Sequence, residues 1–288
     1  LESFDLRGRR AAITGGSRGF GFAVATAFAR AGADVMLSAR DERELEKAAR
    51  ALGRDFPAVR VEWCAGDVSN DADVAALAER AERAFGHIDV LVCNAGIYGP
   101  KGPIENVDFG EWSRALEINV NGVVLCARRF AAQLRASERG KVVILSGGGA
   151  TKPMPYLSAY AASKAAAVRF GETLAEEWRE HGIDVNMVAP GALNTRLLDE
   201  VLAAGPAAVG DAFYAASLKQ KAEGGAPLER GADLCAYLAS RASDGVTGKL
   251  ISAIWDPWER FSELREALAA SDVYTLRRIV PEDRKLPW

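Results

Sequence analysis

Short, nearly continuous apolar runs recur along the 288-residue chain, separated by longer stretches whose apolar residues fall at helical spacing. The runs cover 10–14, 34–38, 59–64, 88–93, 141–146, 183–189 and 249–254. Many of their side chains are β-branched, as expected of strands buried on both faces, and each gap is long enough for a crossover helix. This alternation predicts an α/β protein with a doubly wound parallel sheet of seven strands and helices on both faces. No linker, repeat or low-complexity stretch divides the chain, so the pattern predicts a single domain.

Composition narrows the function classes. A net charge of −3 with both signs interspersed sets up no field for a polyanion, so nucleic acid is not an expected partner. No apolar run approaches the roughly 20 residues that span a bilayer, and LESFDLRGRR lacks the apolar centre of a signal peptide. Neither a membrane nor export is expected. Cys64, Cys93, Cys126 and Cys235 are scattered without CxxC spacing, and His87 and His181 are the only histidines. Buried free thiols in a reducing, cytoplasmic setting are predicted, with no metal site.

The first apolar run leads into Thr14-Gly15-Gly16-Ser17-Arg18-Gly19-Phe20-Gly21 and then a helical pattern. Glycines let the backbone turn sharply and approach a ligand, while free amides at a helix start offer donors to a pyrophosphate. The spacing of Gly15, Gly19 and Gly21 is looser than GxGxxG. The second run closes on Ala39 and Arg40, with Arg18 as a second cation. An acidic residue there would suit the ribose hydroxyls of NAD(H), whereas guanidinium suits a 2′-phosphate. NADP(H) is therefore expected over NAD(H); the alternative is that Arg40 faces solvent and Asp41 caps the next helix. Asp67, beside Val68, is placed either to meet an adenine edge or to cap a helix starting near Asn70. Asn94, Ala95 and Gly96 are small enough for a flat cofactor to lie against backbone. Asn119, inside a helical pattern from 112 to 135 and near Gly122, predicts a backbone irregularity that exposes a carbonyl or binds water.

Tyr160 and Lys164 lie at i and i+4 of an Ala-rich helical stretch, one turn apart on one face. A phenol can protonate a carbonyl oxygen as hydride reaches the carbon, yet its free pKa of about 10 is too high for neutral pH. Bringing it to roughly 7 takes about 4 kcal/mol of differential stabilisation. Lys164 is placed to supply part of that.

Together, TGGSRGFG at 14–21, Asp67, NAG at 94–96, Asn119, YAASK at 160–164 and PGALNT at 190–195 resemble a classical short-chain dehydrogenase/reductase, over roughly 5–254. The resemblance implies a Rossmann-fold domain over 1–254 that carries a lid at about 193–230, followed by an extension over 255–288. It implies Tyr160 as general acid/base, Lys164 as the residue that holds the nicotinamide ribose and lowers the Tyr160 pKa, and Asn119 as anchor of a relay water. Cofactor contacts would come from Gly15, Ser17, Arg18, Gly19, Phe20, Arg40, Asp67, Val68, Asn94, Ala95 and Gly96, the last three on the adenosine ribose side. Pro190, Gly191 and Thr195 would meet the nicotinamide end. The implied reaction is hydride transfer between NADP(H) and a ketone or secondary alcohol; the alternatives are an epimerase or dehydratase using nicotinamide transiently, or an NADPH-binding regulator without turnover. A homo-oligomer, tetramer or dimer, is implied, built through helices at about 112–135 and 159–181.

One family position departs from the pattern. The Ser that donates to the substrate oxygen would fall, counting back from Tyr160, on Gly147, with Ser146 as its predecessor. Neighbouring strand residues point to opposite faces, so Ser146 serves only if the loop bulges. Thr151, Ser158 or the substrate's own acidity are the other ways to meet the need.

The lid carries Leu197, Leu198, Val201, Phe213 and Tyr214, which predict either a partly hydrophobic substrate pocket or packing of two lid helices on each other. Beyond 254, Phe261, Leu264, Leu268 and Val273 form a stripe that predicts a helix on the body or across a neighbouring subunit. Arg277 and Arg278 suit a phosphate or carboxylate, or an ion-paired surface.

Overall fold

The computed structural model describes residues 4–286. Seven strands, β1 (Arg10–Thr14), β2 (Asp34–Ala39), β3 (Val61–Ala65), β4 (Val90–Cys93), β5 (Lys141–Leu145), β6 (Asp184–Ala189) and β7 (Leu250–Ser252), form one sheet in the order β3-β2-β1-β4-β5-β6-β7. Every pairing is parallel. Between the strands run α1 (Gly19–Arg30), α2 (Glu42–Asp55), α3 (Asp71–Phe85), α4 (Phe109–Leu116), α5 (Gly122–Ala136), α6 (Ser158–Glu177), α7 (Arg196–Ala204), α8 (Pro206–Val209), α9 (Asp211–Glu223) and α10 (Leu228–Ala239), and α11 (Arg265–Ala269) follows β7.

Because side chains alternate along a strand, each strand feeds two cores. Ile13, Leu37, Val92, Val143 and Val188 join Phe28, Leu45 and Tyr237 on one face. Ala12, Met36, Leu91, Ile144 and Met187 join Leu77, Phe130 and Val168 on the other. At about 1.5–3 kcal/mol per fully buried aliphatic or aromatic side chain, these layers hold the sheet rigid beneath its loops. Caps are local. Asp41 accepts from the Glu44 amide to start α2, and Asn70 accepts from Ala72 and Asp73 to start α3.

Strand limits move where a side chain captures the backbone. The Arg60 amide is taken by Asp34 Oδ1 at 2.8 Å, and β3 begins at Val61 rather than 59. Ser252 Oγ accepts from the amides of Ile254 and Trp255, turning the chain out of the sheet before 254. The irregularity expected at Asn119 is a π-helical turn, Glu117–Asn121, joining α4 to α5.

The extension packs on the body. Trp258, Phe261 and Leu268 are buried in the first core and Leu264 packs against it, but the regular helix is only Arg265–Ala269. The Arg pair does not form an anion site. Arg277 is neutralised by Asp272 and Asp283.

Candidate active site

The chain leaves β1 toward β2 on one side and pairs with β4 on the other, so a crevice opens at the carboxyl ends of β1 and β4, where open α/β sheets take their ligands. Thr14 Oγ1 accepts from the amides of Asn94 (3.0 Å) and Ala95 (3.1 Å). In return Asn94 Nδ2 donates to the carbonyls of Thr14 (2.8 Å) and Gly15 (3.1 Å). The glycine turn is thereby braced. Gly15 and Gly19 adopt φ of 64° and 56°, and a β-carbon at Gly21 would strike the Gly15 carbonyl. No side chain caps α1, so the amides of its first turn keep their capacity for an outside acceptor.

A dinucleotide fits these residues. Ser17 is half-buried in the turn, and Thr195, at the start of the lid, comes within 3.8 Å of where a Gly19 β-carbon would sit. Arg40 is exposed at the end of β2 without an ion-pair partner among the described residues, and Asp41 does cap α2. Arg18 is bound to Glu44 at 2.8 Å with both side chains nearly half exposed. Such a pair is worth about 1 kcal/mol or less. A phosphate can therefore compete for Arg18.

Other expected contacts are redirected. Phe20 turns inward and is 8% exposed, against Gly231 of α10, so only its backbone faces the turn. Val68 is buried and packs under Gly122 of α5. Asp67 caps nothing: its carboxylate accepts from Ser69 and from Arg114 of α4, which hold it below the usual carboxylate range against the opposing effect of burial. The Asn94 side chain is spent on the glycine turn. Gly96 lies beside Asn119 and Lys164, since a β-carbon there would sit 3.1 Å from Asn119 Oδ1 and 3.6 Å from Lys164 Nζ. Pro190 packs against Gly231, and Gly191 at φ 98° fits between Ile254 and Ala226.

The π turn aims Asn119 at the loop after β4. Its Oδ1 accepts from the Ile97 amide (2.9 Å), and its Nδ2 donates to the Ile97 carbonyl (2.8 Å) and to Ser163 Oγ (2.9 Å). Ser163 in turn donates to the Tyr160 carbonyl at 2.8 Å. Asn119 therefore ties the β4 loop to α6. On α6, Lys164 is buried, donates to the Leu145 carbonyl at 2.7 Å and holds its Nζ 5.7 Å from the Tyr160 ring centroid. Burial pushes Lys164 down to about 8. Burial also raises the Tyr160 phenol well above its usual value, and Tyr98 adds to that rise. No net lowering of the phenol results, because its desolvation dominates and the Lys164 ammonium is turned to a carbonyl.

Tyr98, Lys101 and Glu200 were not legible as site residues in the sequence. The Tyr98 ring meets that of Tyr160 edge-on, centroids 4.6 Å apart. Lys101 Nζ lies 5.7 Å from the Tyr98 ring and 3.9 Å from Glu200 of α7, joining the β4 loop to the lid. The available signal was position alone, in the loop leaving the carboxyl end of β4. The two ends of the 193–230 segment are joined by the Ala226 amide donating to the Ala192 carbonyl at 2.8 Å, and Leu198 and Val201 are buried within it.

A cavity of about 600 Å³ opens at the opposite, amino-terminal edge of the sheet, lined in part by Arg7, Arg9, Arg10 and Arg241. Each of these is already held, by Asp5, the Arg139 carbonyl, Asp89 and Glu138 respectively. Chemistry belongs to the other edge. Among the described residues no group of three His, Cys, Asp or Glu side chains is placed to hold a metal, and no helix is long and apolar enough to cross a membrane. The four cysteines are free, three buried and Cys64 half-buried.

A parallel sheet with a braced glycine turn at its switch point, and a Tyr and Lys pair beside it, defines a dinucleotide-binding α/β protein. The chain matches the family described as short chain dehydrogenase over residues 9–204. It is 36% identical over 200 residues to a galactitol 2-dehydrogenase of Rhizobium johnstonii, covering 68% of this chain and 76% of that one. Against a cis-4-hydroxycyclohexanecarboxylate dehydrogenase of Sinomonas cyclohexanicum the identity is 35% over 246 residues, 85% of this chain and 94% of the other. The crystal structure of L-sorbose reductase from Gluconobacter frateurii, complexed with NADPH and L-sorbose, superposes with a TM-score of 0.77 at 31% identity, over 87% of this chain and 96% of that one. The protein belongs to the short-chain dehydrogenase/reductase family.

Proposed function

We propose that this chain is an NADP(H)-dependent oxidoreductase interconverting a ketone and a secondary alcohol, with Tyr160 as general acid/base. The observation that carries the reading is the pair on α6: a partly accessible phenol with no hydrogen-bond partner among the described residues, and an ammonium 5.7 Å from its ring. When bound, NADP(H) supplies or accepts the hydride. Ser17 and the amides of the Gly15–Gly21 turn would hold its phosphates, Arg40 and Arg18 the 2′-phosphate, and Lys164 the nicotinamide ribose, with Pro190, Gly191 and Thr195 at the nicotinamide end. In reduction Tyr160 gives its proton to the substrate oxygen while the carbonyl carbon takes the hydride, and Lys164 stabilises the phenolate left behind. Asn119 keeps Lys164 and Gly96 in register; both N–H donors of its side chain are engaged, and a relay water would rest on its backbone carbonyl. The lid excludes bulk water as it closes.

The similarity to sorbose, galactitol and hydroxycyclohexanecarboxylate enzymes supports a small, polar, hydroxylated substrate. We take 1–254 as the catalytic unit, working in the cytoplasm as a homo-oligomer. The test is nicotinamide absorbance with L-sorbose, galactitol and cis-4-hydroxycyclohexanecarboxylate, for wild type and Tyr160→Phe. The phenol-free variant should lose about 10²- to 10⁴-fold in kcat while still binding NADPH; equal rates in the two proteins would refute the assignment. Glycine at 147 favours a second reading, an NADPH-binding regulator, which would bind NADPH and leave every compound unchanged.

A further inference from the structure

The reacting oxygen needs a hydrogen-bond donor besides the proton donor, and Gly147 has no side chain to offer. A β-carbon at 147 would collide with the Tyr160 hydroxyl and lie 3.1 Å from its Cζ, so that space is already taken. Ser146 does not replace it. Its Oγ is sealed from solvent without a partner, and the residue is 5% exposed, so the hydroxyl does not line the crevice. Ser158 Oγ accepts from Trp112 Nε1 at 3.1 Å, which ties that hydroxyl to α4. Thr151 ends the 3₁₀ turn after β5 with its side chain exposed.

Tyr98 meets each condition that these three fail. It leaves the carboxyl end of β4 and sets its ring at 64° to that of Tyr160, centroids 4.6 Å apart. Among the described residues its hydroxyl has no hydrogen-bond partner and is not sealed from solvent, and the same holds for Tyr160. Lys101 lies on one side of Tyr98, and Glu200 of the lid is paired with Lys101. The phenol therefore stands between Tyr160 and the Lys101–Glu200 pair that reaches to α7. Burial, and after it the charge of Glu200, raise the Tyr98 pKa above that of a free phenol, which keeps the group a donor at neutral pH.

We propose that Tyr98 is a catalytic residue: its hydroxyl donates to the substrate oxygen in place of a side chain at position 147, so that the oxygen reacts between two phenols. The assignment rests on the oxidoreductase reading. In reduction the carbon–hydride bond and the bond from the Tyr160 proton to oxygen are the two bonds made. The carbonyl π bond, the Tyr160 O–H and the carbon–hydrogen bond of NADPH that supplies the hydride are broken, with NADPH oxidised and the ketone reduced. Tyr98 retains its proton and contributes only as the oxygen gains charge. Such a donor acts in the transition state, so its loss lowers kcat and kcat/KM together.

The experiment compares wild type, Tyr98→Phe, Tyr98→His, Ser146→Ala and Tyr160→Phe on L-sorbose, galactitol and cis-4-hydroxycyclohexanecarboxylate, with NADPH affinity and thermal melting measured for each. Tyr98→Phe keeps the ring and removes one hydroxyl; it should lose about 10²- to 10³-fold in kcat with NADPH affinity unchanged. Ser146→Ala should stay within about threefold of wild type, and Tyr98→His, which restores an N–H donor, should recover part of the loss. If Tyr98→Phe turns over like wild type while Tyr160→Phe is inactive, the Tyr98 assignment is wrong and the oxidoreductase reading stands. If Tyr98→Phe and Tyr98→His are equally impaired, the lost quantity is not a donor and the assignment again fails. If Tyr160→Phe is unimpaired, or no compound is turned over by wild type, the oxidoreductase reading falls and the Tyr98 role falls with it.

Discussion

The hydroxyl of Tyr160 stands where a side chain at Gly147 would begin. The backbone at 147 is extended, so glycine is not required there by its dihedral angles; it is required by the phenol. Gly147→Ser is therefore not a simple restoration of a missing donor. Ser and Ala carry the same β-carbon, and either must displace the Tyr160 hydroxyl. Misplacing a reacting group by about 1 Å costs on the order of 10²-fold in rate. Both variants should fall well below wild type in kcat, and a Gly147→Ser enzyme faster than wild type would show that the phenol moves aside freely.

The raised Tyr160 pKa sets the pH response. The phenol is protonated through the neutral range, so reduction should be nearly flat there. Oxidation needs the phenolate and should gain about tenfold per pH unit. Lys164→Met removes a group that carries its charge only below about pH 8; 5.7 Å from the phenol ring, at an effective dielectric of about 20, that charge favours the phenolate by roughly 3 kcal/mol. Oxidation below pH 8 should therefore fall by on the order of 100-fold in the variant, and an unchanged rate there would remove Lys164 from the mechanism.

Lys164 also leaves a signature in stability. Burial lowers its pKa from 10.5 to about 8, so between those values the unfolded chain binds more protons than the folded one. Stability of the ligand-free protein therefore rises with pH across that window, by on the order of 3 kcal/mol in total from this group. Chemical denaturation of wild type and Lys164→Met at the two ends of the window reads it directly. The increment should be present in the first and missing in the second.

Cofactor choice should follow two guanidinium groups, Arg18 in the glycine turn and Arg40 at the end of β2. Hydrogen bonds to a charged partner are worth about 1.5–3 kcal/mol, so Arg40→Asp should shift the NADPH to NADH affinity ratio by roughly 10- to 100-fold toward NADH. Glu44 competes with a phosphate for Arg18. Glu44→Gln should tighten NADPH by up to about fivefold and leave NADH alone, as read by fluorescence titration. Equal effects on both cofactors would disconnect these residues from the 2′-phosphate.

Much of the frame was visible in the residue pattern because buried parallel strands are nearly uniform apolar runs. β1 matches its expected limits, and the irregularity at Asn119 followed from placing Asn in a helix beside Gly122. Direction was harder. Phe20, Val68 and Asn94 sit at the expected points of the chain, but their side chains turn to α10, to α5 and to the glycine turn, and a motif gives position without facing. The same gap hid Tyr98, whose role depends on a ring in another element and on the lid. The extension misled for a further reason: an i, i+3, i+7 stripe of Phe261, Leu264 and Leu268 is satisfied equally by a 3₁₀ turn followed by a short helix.

At β7 the outward backbone amides are answered from within the chain. Leu250 donates to the Tyr274 carbonyl at 2.7 Å and Ser252 to Asp256 Oδ2 at 2.7 Å, while Glu172 of α6 anchors the same segment through the Leu276 amide at 2.6 Å. An uncovered border strand invites a foreign strand to continue the ladder. Here the polypeptide has hemmed its own border at β7, and trimming the chain behind Ile254 would turn a finished margin into a sticky one.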